Sequence, residues 1–201
     1  MRIIGTGTSP YTRKVRVVAL EKAIGHEFVV HSPMIDSAAV QAVNPLGKVP
    51  VLVRDDGSLL VDSPLIVEYL ERLAPLPRFL PEDAAGREAV RQFEAIADGV
   101  LDAVVLVRLE SLRPEALRGA EWIAWQWGKV HRGLAHLETA LRGRSYCFGD
   151  GLTLADVAIA CCVGYLEFRF AERDWRRRYP GIGRLAGELF ERPAFAATPM
   201  G

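Results

Sequence analysis

Ser9 is the residue best placed to do chemistry. It sits in Thr8-Ser9-Pro10-Tyr11-Thr12-Arg13-Lys14-Val15-Arg16, directly after a short apolar run, Arg2-Ile3-Ile4-Gly5, that reads as a first strand. Tyr11, Val15, Val18 and Ala19 fall on one face, so the pattern predicts a helix over Pro10–Ala23. Ser9 takes the N-cap position and Pro10 the first helical position. A strand, a tight turn and a capped helix together present a hydroxyl beside unpaired backbone N–H groups, which suits an anion. Arg13, Lys14 and Arg16 come early in this helix, where the macrodipole favours acidic side chains instead. They either face solvent or answer a negatively charged ligand.

Two further stretches carry polar groups in suggestive places. Val49-Pro50 puts a proline inside a strand pattern, which marks an edge or an irregularity. Asp62-Ser63-Pro64 repeats the first device, with Ser63 read as a second N-cap and Pro64 as the first helical residue. Lys48, in the turn before Val49, adds a cation.

The elements that must position these residues follow in order. His26–His31 reads as a second strand and Ile35–Val43 as a short helix or irregular segment. Val49–Val53 and Leu59–Val61 form a hairpin around Asp55-Asp56-Gly57, and Pro64–Leu73 is a helix. Gly25 reads as the residue that closes the first helix. Ala74–Pro81 is too rich in proline to continue a helix and is read as a boundary. Two domains are expected, residues 1–76 and 82–201. The second is all helix, with long segments over Ala84–Arg108 and Ala116–Arg142, a strongly apolar one over Leu154–Phe170 and a last one over Pro180–Glu191. Leu152-Thr153-Leu154-Ala155-Asp156-Val157 reads as a capping box, Thr153 as cap and Asp156 as its partner.

Composition excludes several classes. The 201 residues are half hydrophobic and carry no formal net charge, so no general nucleic-acid or anionic-membrane surface is expected. No run is long and apolar enough to span a bilayer, and Met1-Arg2-Ile3-Ile4 does not read as a signal segment. Three cysteines, two of them adjacent, make a poor disulfide framework, so the expected setting is cytoplasmic. His131 and His136 are off the spacing of a helical metal pair, and no metal is expected. Cys161, Cys162 and the four tryptophans read as core residues.

Ser9-Pro10-Tyr11-Thr12 resembles the Cys-Pro-Tyr-Cys of glutaredoxin-type thioredoxin folds with both thiols replaced by hydroxyls. The longer run through Arg16 is similar to the start of bacterial glutathione S-transferases of the serine type. The resemblance implies an α/β thioredoxin-like N-terminal domain followed by an all-α helical C-terminal domain. It implies a cis bond before Pro50, and a peptide-like ligand paired with the backbone of Val49. It also implies glutathione as co-substrate. Ser9 would donate to the thiolate, and Tyr11 is its rival. Asp62 and Ser63 would hold the γ-glutamyl ammonium and carboxylate, with Asp98 a further candidate for the amine. Lys48 would meet the glycine carboxylate. A small electrophile would lie between the domains against Thr8, Tyr11 and the Ala84–Arg108 helix, in a homodimer serving detoxification. The function implied is attack of the glutathione thiolate on an electrophilic carbon. The alternatives are a glutathione-dependent disulfide reductase or peroxidase, and a non-catalytic binding module of the same build.

Overall fold

The structure, a computed structural model, describes residues 1–201 and divides into two compact units. The first is Met1–Phe79 together with Phe190–Gly201; the second is Leu80–Leu189. The expected helical domain ran to residue 201, but its last twelve residues belong to the first unit.

The first unit runs β1 (Arg2–Gly5), α1 (Pro10–Glu21), β2 (Glu27–Val30), α2 (Ser37–Val43), β3 (Val51–Val53), β4 (Leu59–Leu60) and α3 (Ser63–Leu73). The sheet order is β2-β1-β3-β4. β1 is parallel to β2 and antiparallel to β3, and β3 is antiparallel to β4. The two central strands are buried, and Val15, Val18, Ile66, Val67 and Leu70 of α1 and α3 are inaccessible. Strands covered in this way read as continuous apolar runs, which is why β1 and β3 stand out in the sequence.

α1 ends at Glu21, two residues short of the predicted Ala23, and closes without glycine. Ala23, at φ 52°, takes the left-handed position assigned to Gly25. Its N–H donates to the Leu20 carbonyl and the Ile24 N–H to that of Ala19, the paired bonds of a Schellman closure.

Lys22, the cap of that helix, does a second job. Its Nζ lies 2.8 Å from Glu71 Oε1 and donates to the carbonyls of Ala74 (2.7 Å) and Pro77 (2.6 Å). Three ammonium protons thus have three acceptors. Glu71 in turn accepts from the Phe79 N–H at 3.1 Å. This buried pair fastens the proline-rich segment to the first unit and explains why the unit extends to Phe79.

The second unit holds α4 (Ala84–Ser111), α5 (Ala120–Ala140), α6 (Leu154–Arg169), α7 (Trp175–Arg178) and most of α8 (Pro180–Phe190), with short 3₁₀ turns at Glu115–Leu117 and Ala171–Arg173. α6 is buried from Leu154 through Leu166, as its all-round apolar sequence requires. Asp156 accepts from the Thr153 N–H, the Thr153 hydroxyl and the Cys147 N–H, each at 2.8 Å. The expected box is therefore wider than a helix cap, because the same carboxylate also ties down the preceding loop. The α8 N-terminus has a cap supplied from α5: Glu138 accepts from the N–H groups of Gly181 and Ile182.

Two of the four tryptophans are core residues. Trp127 and Trp175 stack at 5.7 Å, with His131 against both rings. Burial, then Arg178 and Arg173, push the His131 pKa down, so the ring stays neutral in its stack. Trp122 and Trp125 depart from the core expectation: both are exposed, and Lys129 lies over the Trp125 ring. No helix is long and apolar enough to cross a membrane.

Candidate functional site

Strand direction decides where the chemistry can be. β1 and β4 point one way and β3 the other. The end of β1, the start of β3 and the end of β4 therefore lie at one end of the sheet. Ile4 pairs with Val51 and Leu52 with Leu60, so the loops carrying Ser9, Val49 and Ser63 leave from neighbouring strands. α1 and α3 both begin at that end and pack against each other. Two helix N-termini thus direct their positive ends to the same place.

Ser9 is the N-cap of α1, in extended backbone at φ −86°, ψ 119°. Its Oγ accepts from the Thr12 N–H at 3.2 Å and remains half-buried. A hydroxyl that accepts one bond can still donate its proton outward. Its own N–H donates to the Thr6 carbonyl at 3.2 Å, which closes the turn. Thr8 is half-buried with its hydroxyl 3.3 Å from that of Thr6, and Tyr11 is half-buried on α1.

Two of the three early cations of α1 are buried and the third is half-buried. Arg13 and Lys14 are 7 % and 1 % exposed. The Arg13 guanidinium lies over the rings of Phe190 and Phe195 and donates to the Phe195 carbonyl. Arg16 sits over Phe28 at 3.9 Å. The fold itself takes up the charges that sequence reasoning assigned to solvent or a ligand.

The Val49-Pro50 bond is cis, as the resemblance implied. Val49 lies outside any strand, and no hydrogen bond of the chain uses its N–H or C=O. Lys48 is exposed beside it. Asn44, the first residue of the turn that Asn44-Pro45-Leu46-Gly47 predicts, holds this turn from within. Its Nδ2 donates to the Lys48 carbonyl at 2.8 Å, and its Oδ1 accepts from the Leu46 N–H at 3.0 Å. An Asn just before Pro-Leu-Gly was the available signal.

At α3 the cap is Asp62, not Ser63. The Asp62 carboxylate accepts from the Ser63 N–H at 2.6 Å, and Ser63 becomes the first helical residue. The Ser63 side chain is fully buried and its hydroxyl has no partner in the chain. A buried hydroxyl with no partner costs about 1–3 kcal/mol. It is an unpartnered hydroxyl at the positive end of a helix.

Elsewhere, burial pushes the thiols of Cys147 and Cys162 up, so both stay protonated at neutral pH. Asp98 lies in α4, where its charge adds to the rise at Cys162.

Residues 3–78 match the family model "Glutathione S-transferase, N-terminal domain", and residues 83–184 match "Glutathione S-transferase, C-terminal domain". The chain belongs to the glutathione S-transferase family. It is 40 % identical over 198 residues to the uncharacterized GST-like protein YibF of Escherichia coli, covering 98 % of each chain. It is 32 % identical to a maleylacetoacetate isomerase of Pseudomonas aeruginosa, covering 94 % of this chain and 89 % of the relative. A glutathione S-transferase from Methylobacillus flagellatus, crystallised with glutathione bound, shares 41 % identity over 98 % of each chain at a TM-score of 0.95. Like these relatives, this glutathione S-transferase family member pairs a thioredoxin-like α/β domain with a helical one.

Proposed function

We propose that the first unit binds glutathione and that Ser9 keeps its thiol ionised for attack on a small electrophilic carbon. The observation that carries this reading is the convergence of Ser9, Val49 and Ser63 on one end of the sheet. The residues fit the tripeptide group by group. The orphan Ser63 hydroxyl and the start of α3 suit the γ-glutamyl carboxylate, and the exposed Asp62 suits the adjacent ammonium. The unused backbone of Val49 suits the peptide groups of the central cysteine. Lys48 suits the glycine carboxylate. When bound, glutathione supplies the nucleophilic sulfur. The Ser9 hydroxyl and the first turn of α1 hold that sulfur as an anion, and Thr8 and Tyr11 border the substrate. The protein acts as a cytoplasmic homodimer in this reading, and light scattering checks its mass.

A second reading comes from the isomerase relatives. There the same thiolate would add to a conjugated carbon and leave again once the neighbouring bond has turned, with no net transfer. Calorimetry with glutathione tests the binding step common to both. Steady-state assays against a chlorinated aromatic, a cis-configured unsaturated diketo acid and a hydroperoxide then separate transfer, isomerisation and peroxide reduction. Absence of glutathione binding at millimolar concentration would sink both readings.

Ser63→Ala gives a test with opposite signs on two axes. Removing a buried hydroxyl with no partner should leave stability unchanged or raise it by up to about 1 kcal/mol. Losing a charge-assisted bond to a carboxylate should weaken glutathione about tenfold or more. Denaturant unfolding and calorimetry read the two effects. A variant that loses stability and keeps full affinity would remove Ser63 from the site.

A further inference from the structure

We infer that Arg13 is a positioning residue for Ser9: it pins the segment Phe190–Gly201 as a strap across the loop that presents the Ser9 hydroxyl. The inference rests on the glutathione reading above and adds a part that none of the residues named there supplies.

The strap is fastened at three points. The buried Arg13 guanidinium lies 5.0 Å and 5.2 Å from the ring centroids of Phe190 and Phe195, and donates to the Phe195 carbonyl at 3.4 Å. Arg192 forms a bidentate pair with Glu21 of α1, at 2.8 Å and 2.7 Å. α9 (Pro193–Ala196) packs on α1, and the buried Thr198 hydroxyl donates to the Ala194 carbonyl at 2.9 Å. The segment then reaches the loop itself. The carbonyl oxygen of Gly201 lies so close to Gly7 that a Cβ there would come within 2.1 Å of it. Gly7 is not in the left-handed region, so its own backbone would accept a side chain. The strap forbids one.

Ser9 lies between these fastenings. Its carbonyl accepts the Arg13 N–H at 3.0 Å, while Gly7, two residues before it, is covered by Gly201. A hydroxyl that must meet a sulfur needs placing to within about 0.5 Å, and a free loop does not give that. A cation at a helix start, unfavourable for the helix alone, has its reason here.

The test uses the full chain, a chain lacking residues 199–201, and Gly7→Ala, Arg13→Ala and Arg13→Lys. Each is titrated with glutathione by calorimetry. The pKa of the bound thiol is read from thiolate absorbance, and kcat and KM are measured with whichever substrate the assays above identify. Removing residues 199–201 should raise the bound thiol by about one pH unit, tenfold in ionisation, while glutathione affinity at pH 9 falls less than about threefold. Gly7→Ala should do the same in the full chain and add nothing in the shortened one. Arg13→Ala should match the deletion, and Arg13→Lys should fall between it and the parent. A shortened chain with an unshifted thiol and unchanged kcat overturns the strap while leaving Ser9 in its role. An Arg13→Ala protein that is less stable but has an unshifted thiol also overturns it. A parent protein that binds glutathione as an ordinary thiol overturns the strap and the underlying reading together.

Discussion

Ser9→Ala is expected to raise the pKa of the bound glutathione thiol from about 6.5 to about 8, most of the way back to the free value of about 8.5. The depression of two units corresponds to about 2.7 kcal/mol of preference for the anion. A hydrogen bond to a charged acceptor supplies roughly 1.5–3 kcal/mol, and the helix start adds roughly 0.3–1. Ser9 is therefore the larger of the two contributions. The ionised fraction at pH 7 should fall about eightfold. The more basic thiolate of the variant is intrinsically more reactive, with a Brønsted slope of about 0.4–0.5, and recovers part of this loss. Turnover at pH 7 should thus drop about twofold, with the gap closing by about pH 7.5. The sign of the linkage adds a second readout. Because the bound pKa lies below the free one, glutathione affinity should rise with pH between about 6.5 and 8.5 and then level off. In Ser9→Ala it should be nearly flat. Ser9 also caps α1, and alanine there costs about 1 kcal/mol of stability. Ser9→Gly keeps most of the cap and loses the hydroxyl, so it should share the thiol shift without the stability loss. Tyr11→Phe should leave the thiol unshifted. The reverse pattern, with Tyr11→Phe shifting the thiol and Ser9→Ala silent, would transfer the role to Tyr11.

The parts of this site that could be read in the sequence are those fixed by local chemistry. Ser9-Pro10 announces a helix start wherever the rest of the chain goes, and Ser9 is the observed cap. Val49-Pro50 announces a break in a strand, and β3 begins one residue after it. At Asp62-Ser63 local chemistry allowed two caps one residue apart, since proline is tolerated in either of the first helical positions. Packing chose between them: burial of Ser63 leaves Asp62 as the residue outside the helix. The cations of α1 were misread for a different reason. Periodicity over Tyr11–Ala19 reports one apolar face and assigns the rest to water. What covers the Arg13 face is Phe195, 182 residues away in sequence, and no window along the chain contains both. The same fact moved the domain boundary, because a segment that returns to an earlier unit carries no local mark of its destination. Lys22 and Glu71 were overlooked alike: each reads as an ordinary surface charge until the fold places them 2.8 Å apart.

Asp156→Ala should produce the largest loss of stability in the chain, about 3–5 kcal/mol. Read as a helix cap alone, this position would be worth about 1 kcal/mol. The carboxylate is fully buried and is the acceptor for the Thr153 N–H, the Thr153 hydroxyl and the Cys147 N–H. Alanine leaves three donors without an acceptor in a place water does not reach, and each such donor carries a desolvation cost. Two of them are backbone groups, so the loop ahead of α6 and the helix start fail together. Thr153→Val removes only the hydroxyl and should cost about 1 kcal/mol, while Asp156→Asn keeps the shape and should fall between the two. All four tryptophans lie within Leu80–Leu189, so their fluorescence in a urea titration reports unfolding of the helical unit specifically. An unfolding free energy for Asp156→Ala within about 1 kcal/mol of the parent would mean that the carboxylate acts as an ordinary cap and that the loop at Cys147 holds without it. The glutathione site should be the part least affected, since Ser9, Val49 and Ser63 all lie in the other unit.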